Sequence, residues 1–567
     1  MTTRSLKDMG LPERTIGTRP HARAWVENPD WLNIPNIEEL DRVVGLCAIN
    51  EYSTFFSFSV TTVPGSNTIS EGFTVDWGNG EVDTYASGAV VEYLYDFNTV
   101  EDYNGLYKQA IVTIKPTGDD HLDTVDFNVA HTEPGLNSLY NSPWLSVRSE
   151  SPYIKNIYWG HETTFALYHR NLEKVYLDCP SITNYDYMFA TVCSGLREVD
   201  IVSGNGISFV GTFFWCTGLS KIPNVNYTNA TDLTGMYEKC YIMKGDVHID
   251  LPVATTLTNM FKFCYLIHSL TISCPEATSL AGLAYDCRTM VSAELNDTDN
   301  VLSFFECFRL CSYLQDVEIS NVETATDFSY MFRSCTRLQH LPDWTFTEGL
   351  DFSYMLNVCY RFQQLPQWTF PSGTTFNNMM QTMEILTAPN WSFPVGTSFT
   401  NMLNNNLYLR SVDYYFPGVT DREDMAGIVN QCPNLRVDTI DSPVGPPPPS
   451  SGSGVLYMPL YTLGSGDTFT FNANANTLEV PAIDMTLVTG PIEIKGNTSL
   501  SRIKITGVKV DIDISGNHAL YAEAIDEVFT NLETVTGSEE IDVSNNPGTG
   551  TCDTSIATAK GWTVITV

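Results

Sequence analysis

Fourteen cysteines, nine histidines and 66 acidic side chains carry the chemistry this chain could do, and their spacing decides which chemistry is open to it. Seven thiols keep step: Cys216, Cys240, Cys264, Cys287, Cys311, Cys335 and Cys359. Such a row could hold disulfides, metal ions, or only a column of small soft hydrophobes. Rungs about 4.8 Å apart would not by themselves forbid a disulfide. Seven thiols cannot pair completely, however, and neither His nor Asp keeps step with them. No Cys-x-x-Cys occurs anywhere, which removes the commonest zinc and thiol-redox spacings. The row reads as core, and Cys307-Phe-Arg-Leu-Cys311 as two repeat slots falling together.

Catalytic sets are not legible. The histidines (21, 121, 131, 161, 169, 248, 268, 340 and 518) form no metal spacing. His161-Glu-Thr-Thr-Phe165 begins like a zincin helix, but Phe165 stands where the second His belongs. There is no Gly-x-Ser-x-Gly elbow and no phosphate loop. Asp511 and Asp513 share a strand face and could be an acid/base pair, a loose Ca²⁺ site or solvated surface. The expectation is a non-enzymatic protein with no cofactor and no metal. A glycan-degrading site built across several repeats is the enzymatic alternative.

What positions these residues is a repeat. Asp327-Phe-Ser-Tyr-Met331-Phe-Arg-Ser-Cys335-Thr-Arg-Leu338 recurs as Asp351-Phe-Ser-Tyr-Met355-Leu-Asn-Val-Cys359-Tyr-Arg-Phe362. The Met slot runs through residues 188, 212, 236, 260, 283, 307, 331, 355, 379, 402 and 425, at intervals of 23 or 24. Four residues on lies the Cys slot, which relaxes to Met383, Asn406 and Val429 as if the array were fading. Seven residues on lies an aliphatic slot. Fixed apolar slots at this period describe a solenoid whose coils are stable only when stacked. Burying an anchor is worth roughly 1.5–3 kcal/mol, against about 1–2 kcal/mol of backbone entropy for every ordered residue. Trp344, Trp368 and Trp391 form a further ladder, each two residues before Phe346, Phe370 and Phe393. Each pair points one way. The ladder is either a buried apolar spine or an exposed aromatic strip for glycan or receptor binding.

The Thr/Ser-x-Phe-x-x-Met-Phe-x-x-Cys-x-x-Leu unit resembles the bacterial surface leucine-rich repeat of the BspA type, over about residues 165–440. That resemblance implies a surface adhesin, or a related array in a tailed-bacteriophage virion. Met1 to Gly10 lacks the apolar stretch of a secretory signal, which favours the virion branch. No segment approaches a membrane span.

The flanks divide into modules. Residues 1–41 are Pro-punctuated and net basic at their start, and read as an anchoring arm with Trp25, Trp31 and Leu32 as apolar anchors. Residues 42–132 alternate with period two between Gly/Asn/Pro turns, which predicts an immunoglobulin-like β-sandwich. Asp76-Trp77-Gly78-Asn79-Gly80, followed by Tyr95-Asp-Phe97, resembles the polycystic-kidney-disease type of that domain, with Asn79 in place of the usual Asp. Residues 133–164 read as a connector and 165–442 as the solenoid. Residues 443–454 (Pro-Val-Gly-Pro-Pro-Pro-Pro-Ser-Ser-Gly-Ser-Gly) read as a linker. In 455–567, Ile512-Asp-Ile-Ser-Gly-Asn517 and Ile541-Asp-Val-Ser-Asn-Asn546 are strands ending in Asn, as in leucine-rich repeats. The segment Ala522–Leu532 between them reads as an amphipathic helix.

The fold expected is mainly β with short helices. With 43% apolar and 12% aromatic residues the chain can build cores, and a net charge of −36 argues against nucleic acid or anionic membrane as broad partners. The function expected is structural, in a phage virion as fibre, decoration or tail component that presents a host-attachment surface. The partners expected are other virion proteins through the arm, host glycan or protein, and further copies of the chain. The alternative is a bacterial cell-surface adhesin.

Overall fold

A computed structural model describes residues 30–567 apart from 36, 38–40, 51–53, 67, 101–106, 131–142, 161–168, 363–364, 433, 436–438, 442–468, 473–477 and 481. Trp25, the His161 motif and the Pro/Gly/Ser linker lie outside the described residues.

The N-terminal strands are β1 (Arg42–Ile49), β2 (Phe55–Val63), β3 (Phe73–Asp76), β4 (Val82–Tyr85), β5 (Val90–Leu94), β6 (Lys108–Pro116), β7 (His121–Asp126), β8 (Trp144–Glu150) and β9 (Asn156–Tyr158). They form two sheets. One runs β5-β2-β7-β9, and the other contains β8-β1-β6-β3-β4. Phe56, Phe58, Trp77, Phe127 and Trp144 fill the space between. Trp77 is fully buried, with Tyr93 stacked on it at 3.9 Å, and its indole N–H donates to Asp83 at 2.9 Å. Gly45 is required in β1 because Trp144 lies across it: a Cβ there would stand 2.2 Å from the ring.

The span 133–164 is not a plain connector. It carries β8 and β9, each of which completes one sandwich sheet. β8 also pairs parallel with β10 (Lys174–Asp178), which continues to β11 (Glu198–Ile201) and β12 (Asn224–Val225). A single eight-stranded sheet therefore runs from the sandwich into the repeats. One hydrophobic core extends without a break from Val43 to Leu435.

In the next coils the parallel sheet comprises β13 (Lys244–Asp250), β14 (Leu266–Ser273), β15 (Ser292–Asn296) and β16 (Asp316–Ile319). A second parallel ladder of single bridges climbs Asn184, Ser208, Asp232, Thr256, Ser279, Ser303, Asp327, Asp351, Thr375 and Ser398. The Asp and Asn side chains on these rungs accept their own backbone N–H two residues on, as Asp327 does from Ser329 at 2.9 Å. That is the Asx turn these residue types favour. Each coil then turns through two left-handed residues, one just before the Met slot and one just before the Cys slot, with φ between 53° and 66°.

Between these turns the apolar slots face inward and stack on their neighbours. Phe189, Phe213, Tyr237 and Phe261 lie 5.3–5.4 Å apart. Phe304, Phe328, Phe352, Phe376 and Phe399 lie 5.2–5.6 Å apart.

The array does not fade where the sequence suggests. Arg422–Met425 is a short 3-10 turn that lengthens the last coil. The backbone of Leu403 donates to Ile428 at 2.8 Å, and Gly427 takes the left-handed slot at φ 66°. Ile428, not Met425, therefore fills the Met position. Cys432, not Val429, fills the thiol position and donates to Leu403 O at 3.3 Å. β17 (Asp413–Tyr415) and β18 (Thr439–Asp441) close this end.

The C-terminal domain has its own core, from Phe469 to Trp562. β19 (Phe469–Thr470), β21 (Ile492–Glu493), β23 (Ile512–Asp513), β24 (Glu540–Asp542) and β25 (Thr563–Ile565) form a parallel sheet, and β20 (Glu479–Val480) pairs with β22 (Arg502–Ile503). Helix α1 (Ala522–Asn531) buries Ile525, Val528 and Phe529, and α2 (Ser555–Thr558) buries Ala557. The whole is mainly β with short helices: a sandwich, a leucine-rich-repeat solenoid and a smaller repeat domain.

Candidate functional site

The thiol row lies in the dry interior. Cys216, Cys240, Cys264, Cys287, Cys311, Cys335 and Cys359 are all fully buried and unbridged. Each Sγ donates to a backbone carbonyl of the preceding coil at 3.0–3.3 Å. Tyr237 O, for example, accepts both the Cys240 N–H and the Cys264 S–H, each at 3.1 Å. Burial pushes all seven thiols above their ordinary range, which keeps them from acting as thiolate nucleophiles. Among the described residues, no group of three or more His, Cys, Asp or Glu is arranged to hold a metal ion.

The Trp row is interior too, so it forms no exposed glycan strip. Trp344, Trp368 and Trp391 are 7%, 2% and 5% exposed, and they stack at 5.8 and 5.2 Å. The indole N–H of Trp368 donates to Pro342 O and that of Trp391 to Pro366 O, both at 2.9 Å. Tyr414 continues the row with a bond to Pro389 O at 2.8 Å. Facing turns are thereby tied to one another, and the apolar-spine alternative describes what the rings do.

Asp511 and Asp513 bond different groups. Asp511 accepts the Glu540 N–H at 2.9 Å. Asp513 meets Lys495 at 3.0 Å, and Lys495 also reaches Glu493 at 3.0 Å. Burial pushes the Asp513 carboxyl up, but the bonds from Ser515 and Lys495 outweigh it and hold the group below the usual carboxylate range.

The described end of the arm, from Asp30 to Ile34, packs against its own chain. Trp31 is buried against Leu46, Ala48 and Leu145, and its N–H donates to the Tyr107 hydroxyl at 3.1 Å. Leu32 N–H donates to the Gln109 side chain and Gln109 returns a bond to Asp30 O, both at 2.9 Å. Of the anchors proposed for a partner, Trp31 is thus occupied and Leu32 is left 38% exposed. A cleft of about 320 Å³ remains between Leu32–Ile34 and the Arg148, Tyr176 and Asp200 side chains.

A surface missed by sequence reasoning runs along the turn side of the solenoid, where cations lie over rings of adjacent coils. Lys239 sits over Phe214 and Trp215 at 4.5 and 5.4 Å. Lys262 is 5.1 Å from Tyr285. Arg309 lies between Tyr285 and Tyr330 at 5.3 and 5.4 Å. Arg333 lies between Tyr330 and Tyr354 at 5.4 and 5.2 Å. Tyr330 and Tyr354 stack at 4.6 Å, and Arg288 covers Tyr265 at 4.4 Å. The sequence signal was present but faint: basic and aromatic residues one position before the Met slot or two, three or five after it in consecutive coils.

Fold and surface together define a class, a leucine-rich-repeat solenoid protein with a sandwich fused to its first coils. A family model described as "Mycoplasma protein of unknown function, DUF285" matches residues 278–392. No curated protein matches the chain. Among solved structures, the chain is similar to a leucine-rich cell surface protein from Faecalibacterium prausnitzii, at 15% identity and a TM-score of 0.27, covering 57% of this chain and 88% of that one. It is also similar to a leucine-rich repeat protein from Bacteroides ovatus, at 12% identity and a TM-score of 0.28, covering 71% and 91%.

Proposed function

We propose that the chain is a non-enzymatic recognition and adhesion protein of a bacterial cell surface, in which the solenoid is a stiff rod that carries a repeated binding face away from its anchorage. The observation that carries this reading is the unbroken core from Val43 to Leu435, with the sheet that joins β1 to the first coils as far as β12. Among the described residues they pack sandwich and repeats on one core, so outward side chains of successive coils are presented at regular height along one side. The BspA-type repeat unit supports the same role. Among the described residues no helix is long and apolar enough to cross a membrane.

The same rod would serve in a phage virion, with the polycystic-kidney-disease-like sandwich as its base. Antibody labelling of intact host cells, with mass spectrometry of purified phage particles alongside, separates the two. Surface label on uninfected cells, and adherence of protein-coated beads, is the expected result. Recovery of the chain from particles alone would replace this reading with the virion one.

A further inference from the structure

We propose that the cation–aromatic face of the solenoid binds an anionic polysaccharide, a linear hydroxyl-rich polymer with recurring carboxylate or sulfate groups. This deepens the recognition reading above and rests on it. Charge is the first ground. On a chain of net charge −36, Lys239, Lys262, Arg288, Arg309 and Arg333 gather on one side of consecutive coils. Among the described residues their ion pairs are those of Lys239, Arg288 and Arg309 with Glu238, Asp286 and Glu306. Among the described residues, Lys262 and Arg333 have no carboxylate partner. Rings hold both, and Arg333 also donates to the Asn357 amide oxygen at 3.1 Å.

Backbone strain is the second ground. The left-handed slot before the Met position is Gly211, Gly235, Gly282 or Gly427 in four coils and Asn259, Asn378 or Asn401 in three, residues that adopt it at little cost. In the other four coils it is Tyr187, Glu306, Tyr330 or Tyr354, and on this face Tyr330 and Tyr354 adopt φ 61° and 59°. The other left-handed slot is non-glycine in every coil, and on this face Trp215, Lys239 and Phe263 fill it, at φ 62°, 64° and 63°. Each bulky residue costs about 1–2 kcal/mol there. Trp215 is nonetheless 46% exposed, so its strain is not offset by burial. Strain kept at exposed side chains marks a place where presentation outweighs stability.

The occupant follows from what the face leaves open. The Tyr330 and Tyr354 rings are covered by Arg309, Arg333 and one another, which leaves Trp215 as the exposed ring and few platforms for the successive stacked bases of single-stranded nucleic acid. Outward remain guanidinium and ammonium donors and tyrosine hydroxyls, repeated at parallel-strand intervals of about 4.8 Å. They suit hydroxyls and carboxylate or sulfate groups along an extended polymer.

The test uses the full chain, with heparin and hyaluronan as sulfated and carboxylated probes, dextran as neutral control and oligothymidylate as competitor class. Wild type should bind at least one polyanionic glycan and not dextran. Lys262→Gln/Arg333→Gln should weaken that binding at least about tenfold, or 1.4 kcal/mol, with an unchanged thermal midpoint. Should the double variant unfold, Lys239→Gln must show the loss. Absence of polyanion binding, binding indifferent to these variants, or oligothymidylate binding as tight as the glycan would each overturn the proposal. Beads that adhere to cells while the protein binds no polyanion would sink this inference and leave the recognition reading standing.

Discussion

The central solenoid and the C-terminal domain solve the same problem with different side chains. Both must satisfy carbonyls and N–H groups where a coil turns inside its core. The C-terminal domain uses buried asparagines. Asn517 donates to Ile494 O at 2.6 Å and to Ile514 O at 2.7 Å, and its oxygen accepts the Asn497 N–H at 3.0 Å. The solenoid uses thiols that make one weak bond each.

Asn406 shows that these are alternatives at one position. It stands in the thiol slot, donates to Met380 O at 2.8 Å and Leu403 O at 2.6 Å, and accepts the Met383 N–H at 2.8 Å. That is the asparagine geometry of the other domain. A slot filled by Cys contributes little polar bonding and depends on stacking. One filled by Asn fixes three backbone groups at the cost of burying an amide.

The largest expected effect lies on the asparagine side. Asn517→Ala leaves buried carbonyls and an N–H unpaired, a loss of about 3 kcal/mol or more. Chemical denaturation should show it as early melting of helix α1 while solenoid tryptophan fluorescence is unchanged. Loss of both signals together would make the two regions one cooperative unit.

Next comes acid, which should act on the sandwich–solenoid core. His169 is 1% exposed. Burial depresses its pKa to about 3, although a backbone bond at Phe127 opposes the shift. Below the unfolded value near 6.5 the unfolded chain takes up a proton that the native chain refuses. Stability therefore falls as pH drops from 6.5 toward 3, by about 1.4 kcal/mol per pH unit for this group. His169→Gln should flatten the slope between pH 6 and pH 4 in denaturation curves. An identical slope in the variant would show that His169 is not the group responsible.

Smaller again is the thiol side. Cys311→Ala removes one weak bond and a small volume, about 1–2 kcal/mol. Asn406→Cys should be the better tolerated exchange at its slot, below the cost of Asn406→Leu, as thermal midpoints would show. A Cys at 406 as damaging as Leu would mean that the two chemistries are not interchangeable.

Period and slots were legible because large apolar residues at fixed intervals have one physical explanation. The helix Ala522–Asn531 and the strand-ending Asn517 and Asn546 were legible for similar reasons. Register at the last coil was not, because three extra residues placed Met425 at the usual interval while Ile428 took its position. Trp burial was undecidable, since alternation says that Trp368 and Phe370 share a face but not which face. Asn497 was missed because it stands 20 residues before Asn517 rather than 29. The cation–aromatic face hid because its members change slot, as Lys239 and Lys262 do, and tyrosine is common throughout the chain.

Thiol accessibility probes the dry stack of coils most directly. With a water-soluble disulfide reagent and no reductant, the native chain should expose no thiol beyond the half-buried Cys552. In strong denaturant all 14 should react. Rapid modification of Cys216 to Cys359 in the native state, or fewer than 14 reactive thiols after unfolding, would contradict the account.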